Sequence, residues 1–399
     1  MSDVQERPIR VAILGSTGSI GKSALEVLAR HPGRFEVRAL AANRSVDLLA
    51  EQATRFAVGR VVVADDAVFG RMGHLPRGWV SGREAVVSIV EDPEVDVVLN
   101  ALVGFAGLEP TIRALRAGKR VALANKESLV AGGPLVLEAR DAGGGTLVPV
   151  DSEHSAILQC LEGSRDGTVQ RLIITASGGP FRGRSAPDLA SVGPAQALRH
   201  PTWSMGAKIT IDSATLANKA LEVIEAHVLY GLPYSRIEAV VHPQSIIHSF
   251  VEFVDGSVLA QMGFPDMELP ILYALTWPER LGDAQLRTFD PLRSSPLTFE
   301  ALDEAAFPLF RVGVDAGERG GVAPTAFNAA NEVAVEAFLS ERISFPAMAD
   351  AVSAAVEGVG SRDLRELDDV READGAARRI AREWITRQEA RASGAAPHK

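Results

Sequence analysis

Two acidic residues stand two apart in Val150-Asp151-Ser152-Glu153-His154-Ser155, and in an extended segment both carboxylates would point to one side. Such a pair can hold a divalent cation. Oxygen donors with no thiolate select a hard ion such as Mg²⁺ or Mn²⁺, and the neighbouring histidine has no second partner at helical spacing. On these residues alone a second reading stands beside the first, an N-cap cluster that opens a helix from Ser155 to Leu161. A downstream run, Ile211-Asp212-Ser213-Ala214-Thr215-Leu216-Ala217-Asn218-Lys219-Ala220-Leu221-Glu222, puts Asn218 and Glu222 at i and i+4 on one helix face. Lys219 lies next round the helix and Ser213 near its start. One surface therefore offers an amide, an ammonium and a third carboxylate; the alternative, a solvent face with a routine cap, leaves unexplained why these residues cluster on an otherwise apolar helix.

Phosphate chemistry is suggested elsewhere. Ser177-Gly178-Gly179-Pro180 follows the strand pattern Leu172 to Thr175 and could form a backbone nest for phosphate oxygens, or be only a turn. His200-Pro201-Thr202-Trp203-Ser204-Met205-Gly206 has the composition of a loop that closes over a ligand, against the alternative that Trp203 plugs a core. Gly15-Ser16-Thr17-Gly18-Ser19-Ile20-Gly21 sits between the apolar run Val11 to Leu14 and a helical stretch, Lys22 to Arg30. In that context glycines let the backbone approach a pyrophosphate while the helix N-terminus faces the charge. About 20 residues on, Ala41-Ala42-Asn43-Arg44 presents an amide and a guanidinium where an NAD site carries a carboxylate, which suits the 2′-phosphate of NADPH unless Arg44 is only a solvated charge. Asn125-Lys126-Glu127 follows the strand Arg120 to Leu123, at the sheet edge where ligands bind in such folds.

The elements that must position these residues change character along the chain. Strand patterns at Val11 to Leu14, Phe35 to Ala41, Arg60 to Ala64, Val95 to Leu99, Arg120 to Leu123 and Thr146 to Val150 alternate with amphipathic helices, which specifies an N-terminal Rossmann-like, doubly wound parallel sheet over 1–150. An α+β catalytic domain follows over 151–277, with strands at Val169 to Thr175, Glu238 to Val241, Ile246 to Val254 and Ser257 to Met262. Phe253-Val254-Asp255-Gly256-Ser257 reads as a hairpin turn. A linker over 278–297 leads to a C-terminal α-helical bundle over 298–399, with helices expected at Phe299 to Val314, Pro324 to Ser340, Phe345 to Gly358 and Asp363 to Gln388, and fraying from Glu389 to Lys399.

Composition bounds the function. In 399 residues, 46% are hydrophobic and 23% charged, which suits a multi-core globular chain. A formal charge of −10 argues against a general nucleic-acid surface but not against a local anion pocket. The single cysteine, Cys160, rules out an internal disulfide and a cysteine zinc cluster, and its apolar neighbours mark a buried structural thiol. No apolar run matches a membrane span and Met1 to Arg10 lacks a signal-peptide core, so a cytoplasmic location is expected.

Taken in order, GSTGSIG at Gly15 to Gly21, NKE at Asn125 to Glu127, DSEHSAI at Asp151 to Ile157, SGGPF at Ser177 to Phe181, the His200 to Gly206 loop, KITIDSAT ending at Thr215 and the Asn328 to Val335 run closely resemble the 1-deoxy-D-xylulose 5-phosphate reductoisomerases. The resemblance covers nearly the whole chain. It implies a metal- and NADPH-dependent rearrangement of 1-deoxy-D-xylulose 5-phosphate followed by reduction to 2-C-methyl-D-erythritol 4-phosphate in isoprenoid precursor synthesis, by a homodimer. It implies Asp151, Glu153 and Glu222 as metal ligands and, with Lys126, as catalytic residues. Ser152 and Lys126 hold substrate hydroxyls; Ser177, Ser213, Asn218 and Lys219 form the phosphate pocket; His200, Trp203 and Met205 belong to the lid. On the coenzyme side it implies Thr17, Gly18, Ser19, Ile20, Ala42, Asn43, Arg44, Asn125, Glu127, Gly206 and Met267. Ala217, Ala220 and Glu268 depart from the family's pattern, where a methionine, a glycine and often a basic residue are expected. A metal-free NADP-dependent dehydrogenase and an NADPH-sensing regulator remain the competing readings, separated by chelator sensitivity and by turnover of a sugar phosphate.

Overall fold

The computed structural model describes residues 7–72, 77–165, 167–203 and 205–394. The chain divides into two compact units, one of residues 1–128, 135–155 and 266–287, the other of residues 129–134, 156–265 and 288–399.

The first unit is built on seven parallel strands: β1 (Ile9–Leu14), β2 (Phe35–Ala42), β3 (Arg60–Val63), β4 (Trp79–Ser81), β5 (Val97–Asn100), β6 (Arg120–Leu123) and β7 (Thr146–Pro149). Their order is β4-β3-β2-β1-β5-β6-β7, and the strand order reverses between β1 and β5. Val11 through Leu14 and Val97 through Leu99 are buried, because a parallel sheet covered by helices hides both faces and leaves no polar alternation. The helices α1 (Ser19–Arg30), α2 (Val46–Arg55), α3 (Asp66–Phe69), α4 (Arg83–Val90), α5 (Leu108–Arg116), α6 (Lys126–Gly143) and α7 (Ser152–Leu161) supply the crossovers and the segment after β7, with residues 129–134 of α6 and 156–161 of α7 counted in the second unit. The expected doubly wound sheet is present, with one strand more than the sequence pattern predicts. β4 has only three residues, none of them buried, and so carries no hydrophobic signature.

Two local readings are corrected. The first helix begins at Ser19 rather than Lys22, directly on the glycine turn. The Asp151–Glu153 pair is not extended: Ser155 N donates to Asp151 O at 2.8 Å, and Ser152 and Glu153 form the first turn of α7.

The second unit centres on a mixed sheet of order β11-β10-β8-β9-β12, made of β8 (Val169–Ala176), β9 (Ile237–Val241), β10 (Ile247–Phe253), β11 (Val258–Met262) and β12 (Glu300–Ala301). β10 pairs antiparallel with both β8 and β11, so the expected hairpin forms; Phe253 N reaches Ser257 O at 2.8 Å and Gly256 turns at φ 84°. Between β8 and β9 run α8 (Ala186–Leu189), α9 (Pro194–Ala197), α10 (Ala207–Thr215) and α11 (Ala217–Tyr230). After β11 comes α12 (Glu268–Thr276), which belongs to the first unit, where Arg30 of α1 ties Glu268 and Asp283 at 2.7 Å each. Glu268, a departure from the family pattern, is therefore the acidic half of an ion pair.

α13 (Pro291–Ser294), α14 (Pro308–Arg319), α15 (Ala323–Leu339), α16 (Ala347–Val359) and α17 (Leu367–Gly394) complete the second unit. Here the helix expected from Phe299 starts only at Pro308. Residues 300–301 pair with β9 instead, and proline disfavours helical backbone in the residue before it while suiting the first helical position. The fraying expected from Glu389 is likewise corrected, since α17 continues to Gly394 and Glu389 accepts from Arg342 Nε at 2.7 Å; residues 395–399 lie outside the described residues. The core of this unit joins Leu172 and Ile174 of β8 to Ile211, Leu221, Phe327 and Phe338, with Phe345 edge-on to both Phe181 and Phe338. Cys160 is buried and unbridged, as its neighbours predict.

Candidate active site

The glycine turn shows why those positions are glycine. Gly15 sits at φ 83°, and a Cβ there would lie 2.4 Å from Ala101 O; one on Gly21 would lie 2.4 Å from Gly15 O. Backbone therefore passes backbone at the point where the strand order reverses, the place ligands bind in open parallel sheets. Ser16 turns inward: its hydroxyl donates to Gln52 Oε1 at 2.8 Å, and Gln52 Nε2 returns a bond to Ser16 O at 2.9 Å. Gly18 and Ser19 are exposed and Thr17 and Ile20 half-buried, so the expected pyrophosphate residues face outward while Ser16 locks the turn to α2.

At the end of β2, Ala42 is buried and Asn43 and Arg44 are exposed. The Arg44 side chain is 74% exposed and its Nε donates to Asp65 at 2.8 Å, while Asp65 caps α3 by accepting from Ala67 N and Val68 N at 3.0 Å. Asn125 is almost wholly engaged in bracing. Its Oδ1 caps α6 through Ser128 N at 3.0 Å, and its Nδ2 donates to Leu102 O, Gly104 O and Glu127 Oε2 at 2.9, 3.0 and 2.8 Å. Met267 is half-buried at the N-cap of α12, and Gly206 is exposed at the N-cap of α10.

Also in the first unit, Lys126 Nζ lies 2.5 Å from Asp151 Oδ2, and His154 Nδ1 lies 3.4 Å from the same oxygen. Burial opposes ionisation of Asp151, but the Lys126 ammonium and the His154 contact outweigh it and hold the carboxyl well below the usual carboxylate range. Ser152 Oγ donates to Glu153 Oε2 at 2.5 Å. The cap alternative is half right: Asp151 starts the helix by its carbonyl, while its carboxylate serves the lysine.

In the second unit the chain brings together residues from three segments. His200 Nε2 lies 3.0 Å from Ser177 Oγ and 3.1 Å from Ser213 Oγ, while His200 Nδ1 accepts from Thr202 N and Trp203 N at 3.1 and 2.9 Å. Two donors on Nδ1 place the proton of the neutral ring on Nε2, and burial pushes this imidazole below its ordinary range. The turn at Gly178 and Gly179 has φ 84° and 65°, and a Cβ on Gly179 would meet Ser213 O at 2.6 Å. Trp203 is half-buried rather than part of the core; Met205 is half-buried too, and Ser204 lies outside the described residues.

Ser213 and Asn218 do not share a helix as the continuous pattern predicts. Leu216 adopts φ 59° and separates α10 from α11. On α11 the expected face is present and it is not a solvent face: Asn218 Nδ2 donates to Glu222 Oε1, and Lys219 Nζ donates to Glu222 Oε2 and to Thr175 O, with Lys219 and Glu222 almost completely buried. Sequence reasoning missed Thr175, Gln52 and Asp65, whose parts are played by a carbonyl or by bracing contacts that leave no motif. It assigned no part to His154, although its i+3 spacing from Asp151 is visible in the sequence.

Three family models match the chain: 1-deoxy-D-xylulose 5-phosphate reductoisomerase over residues 11–133, that enzyme's C-terminal domain over 147–230, and a further DXP reductoisomerase C-terminal domain over 262–380. The 1-deoxy-D-xylulose 5-phosphate reductoisomerases of Burkholderia pseudomallei (strain 668) and Burkholderia mallei (strain SAVP1) are each 50% identical over 384 residues, covering 94% of this chain and 96% of theirs. Among solved structures, the Zymomonas mobilis reductoisomerase in complex with NADPH is 42% identical with a TM-score of 0.88, covering 95% of this chain and 99% of its own. A DOX-P reductoisomerase in complex with NADPH, fosmidomycin and magnesium is 39% identical with a TM-score of 0.89, covering 94% and 98%.

Proposed function

The chain belongs to the 1-deoxy-D-xylulose 5-phosphate reductoisomerase family, and from that footing we propose how its residues divide the work. The reaction is the NADPH- and divalent-metal-dependent rearrangement and reduction of 1-deoxy-D-xylulose 5-phosphate to 2-C-methyl-D-erythritol 4-phosphate. The observation that carries the residue assignment is the convergence of Ser177, His200 and Ser213 from three separate segments on a glycine turn, a cluster of donors suited to a phosphate group.

The residues present fit both the coenzyme and the divalent cation. Gly15 and Gly21 leave a cradle that a Cβ would fill, next to the exposed Gly18 and Ser19. Asp151, Glu153 and Glu222 each offer carboxylate oxygens, the donor chemistry that Mg²⁺ or Mn²⁺ prefers, and we assign them as the cation ligands. When bound, the cation supplies Lewis-acid polarisation of the substrate oxygens and NADPH supplies the hydride.

The side chains do the rest. His200, with its proton on Nε2, and the hydroxyls of Ser177 and Ser213 grip the phosphate together with Asn218 and Lys219. Binding there, remote from the reacting carbons, supplies positioning energy. Ser152 and Lys126 hold substrate hydroxyls, and the Lys126 ammonium keeps Asp151 ionised. Trp203 and Met205 close over the site and exclude water. Thr17, Gly18, Ser19 and Ile20 take the pyrophosphate, Ala42, Asn43 and Arg44 the adenosine ribose phosphate, and Glu127, Gly206 and Met267 the nicotinamide end. Asn125 acts there chiefly as the brace its bonds describe.

We divide the chain functionally into a coenzyme domain over 1–150, a catalytic domain over 151–277, a linker over 278–297 and a helical domain over 298–399. Among the described residues no helix is long and apolar enough to cross a membrane. A cytoplasmic homodimer without nucleic-acid partners completes the proposal. The test is loss of NADPH absorbance on adding 1-deoxy-D-xylulose 5-phosphate with Mn²⁺ or Mg²⁺. Oxidation that stops with excess chelator supports the assignment; oxidation indifferent to chelator would remove the three carboxylates from it.

A further inference from the structure

We infer that Arg71 is a second residue reading the coenzyme's 2′-phosphate, an inference that rests on the assignment of Arg44 above. A cavity of about 530 Å³ opens beside the end of β2, lined by Arg44, Ser45 and Asp47 on one side and by Val68, Arg71 and Met72 on the other. Its wall combines apolar side chains, suited to a purine face, with two guanidinium groups.

Charge balance assigns Arg71 its part. Arg44 is held through Nε by Asp65 at 2.8 Å, and Asp65 is itself fixed by Ala67 N and Val68 N. That brace aims the arginine and leaves its Nη nitrogens free of protein partners among the described residues, but it also offsets part of the arginine's charge. Asp47 adds a further negative charge to the lining. A phosphate carrying close to two negative charges is bound more strongly by a cation that no carboxylate offsets, and Arg71 forms no ion pair among the described residues. The 2′-hydroxyl of NADH requires none. Arg44 therefore supplies a preorganised hydrogen-bonding fork, and Arg71 supplies net charge.

The experiment is equilibrium binding of NADPH, NADH, adenosine 2′,5′-bisphosphate and AMP to the full chain and to R44A, R71A and R71K. Arg71 is exposed and bonds through its backbone alone, Arg71 N donating to Val68 O at 3.1 Å, so R71A keeps that bond and leaves the fold intact. The expected result is that R71A weakens NADPH and the bisphosphate about tenfold, the size of one partly screened charge-assisted contact, with NADH and AMP within about twofold. R71K recovers part of the loss, and the dependence of NADPH affinity on KCl is shallower in R71A than in the parent chain. Equal losses for both coenzymes, or none for either, overturn the inference. If the parent chain itself binds NADPH no better than NADH, the Arg44 assignment fails and this inference with it. If R44A abolishes the preference and R71A keeps it, only the part given to Arg71 falls.

Discussion

Lys219 and Glu222 form an ion pair whose side chains are 4% and 1% exposed, and the physics of that pair makes a prediction that separates stability from function. Solvent screening is negligible at such burial, so removing either partner leaves the other as a buried charge at a cost of about 3–5 kcal/mol. K219M and E222Q should each therefore lower stability by about that amount, roughly 10 °C in melting temperature for a unit of this size. Replacing both, as K219M/E222M, removes both charges and fills similar volume with unbranched helix formers. What is then lost includes an acceptor for Asn218 Nδ2 and a donor to Thr175 O, about 1 kcal/mol each. The double variant should be about 2 kcal/mol less stable than the parent and more stable than either single variant, yet all three should be inactive. Denaturation followed by circular dichroism, with the absorbance assay alongside, measures both. A double variant destabilised by the sum of the singles would refute the buried-pair reasoning, and metal-dependent turnover by E222Q would take Glu222 out of the site.

Other perturbations follow from single contacts. G21A keeps a helical backbone but drives a Cβ to 2.4 Å from Gly15 O; NADPH affinity should fall at least tenfold, about 1.4 kcal/mol, with the fold retained, and unchanged affinity would show the turn to be incidental. In the free enzyme the His200 imidazole should titrate below its ordinary range and stay neutral at pH 7, with a phosphate-bearing ligand raising the midpoint; an NMR titration with a normal or raised midpoint in the free enzyme would contradict the effect assigned to burial. Asp96 accepts from Arg7 and Arg10, which outweigh its burial and hold it far below the usual carboxylate range. Because the folded-state pKa is depressed, the stabilisation is full above the unfolded value and is lost as pH falls through the depressed one. D96N should be less stable than the parent at pH 7, with the gap closing below about pH 4; a gap independent of pH would show that the effect is steric.

The sequence alone determined what depends on short-range order. Six of the seven strands of the first sheet, the glycine turn, the hairpin at Gly256 and the i, i+4 relation of Asn218 to Glu222 follow from side-chain periodicity and local backbone preference, and the reading of the activity followed from ordered motifs along nearly the whole chain. Boundaries were less legible where a terminus is set by a hydrogen bond rather than a residue type, as at Ser19 and at the start of α7. The tertiary structure alone decided which distant residues meet. Nothing in the local sequence announces that Thr175 O receives Lys219, that His200 stands between Ser177 and Ser213, that Asp65 braces Arg44, or that Leu216 takes a left-handed turn to split one helical pattern in two. Local propensity is a property of neighbours in the chain, whereas these contacts are selected by packing between elements far apart in it, where a buried polar group must find a partner wherever the fold provides one.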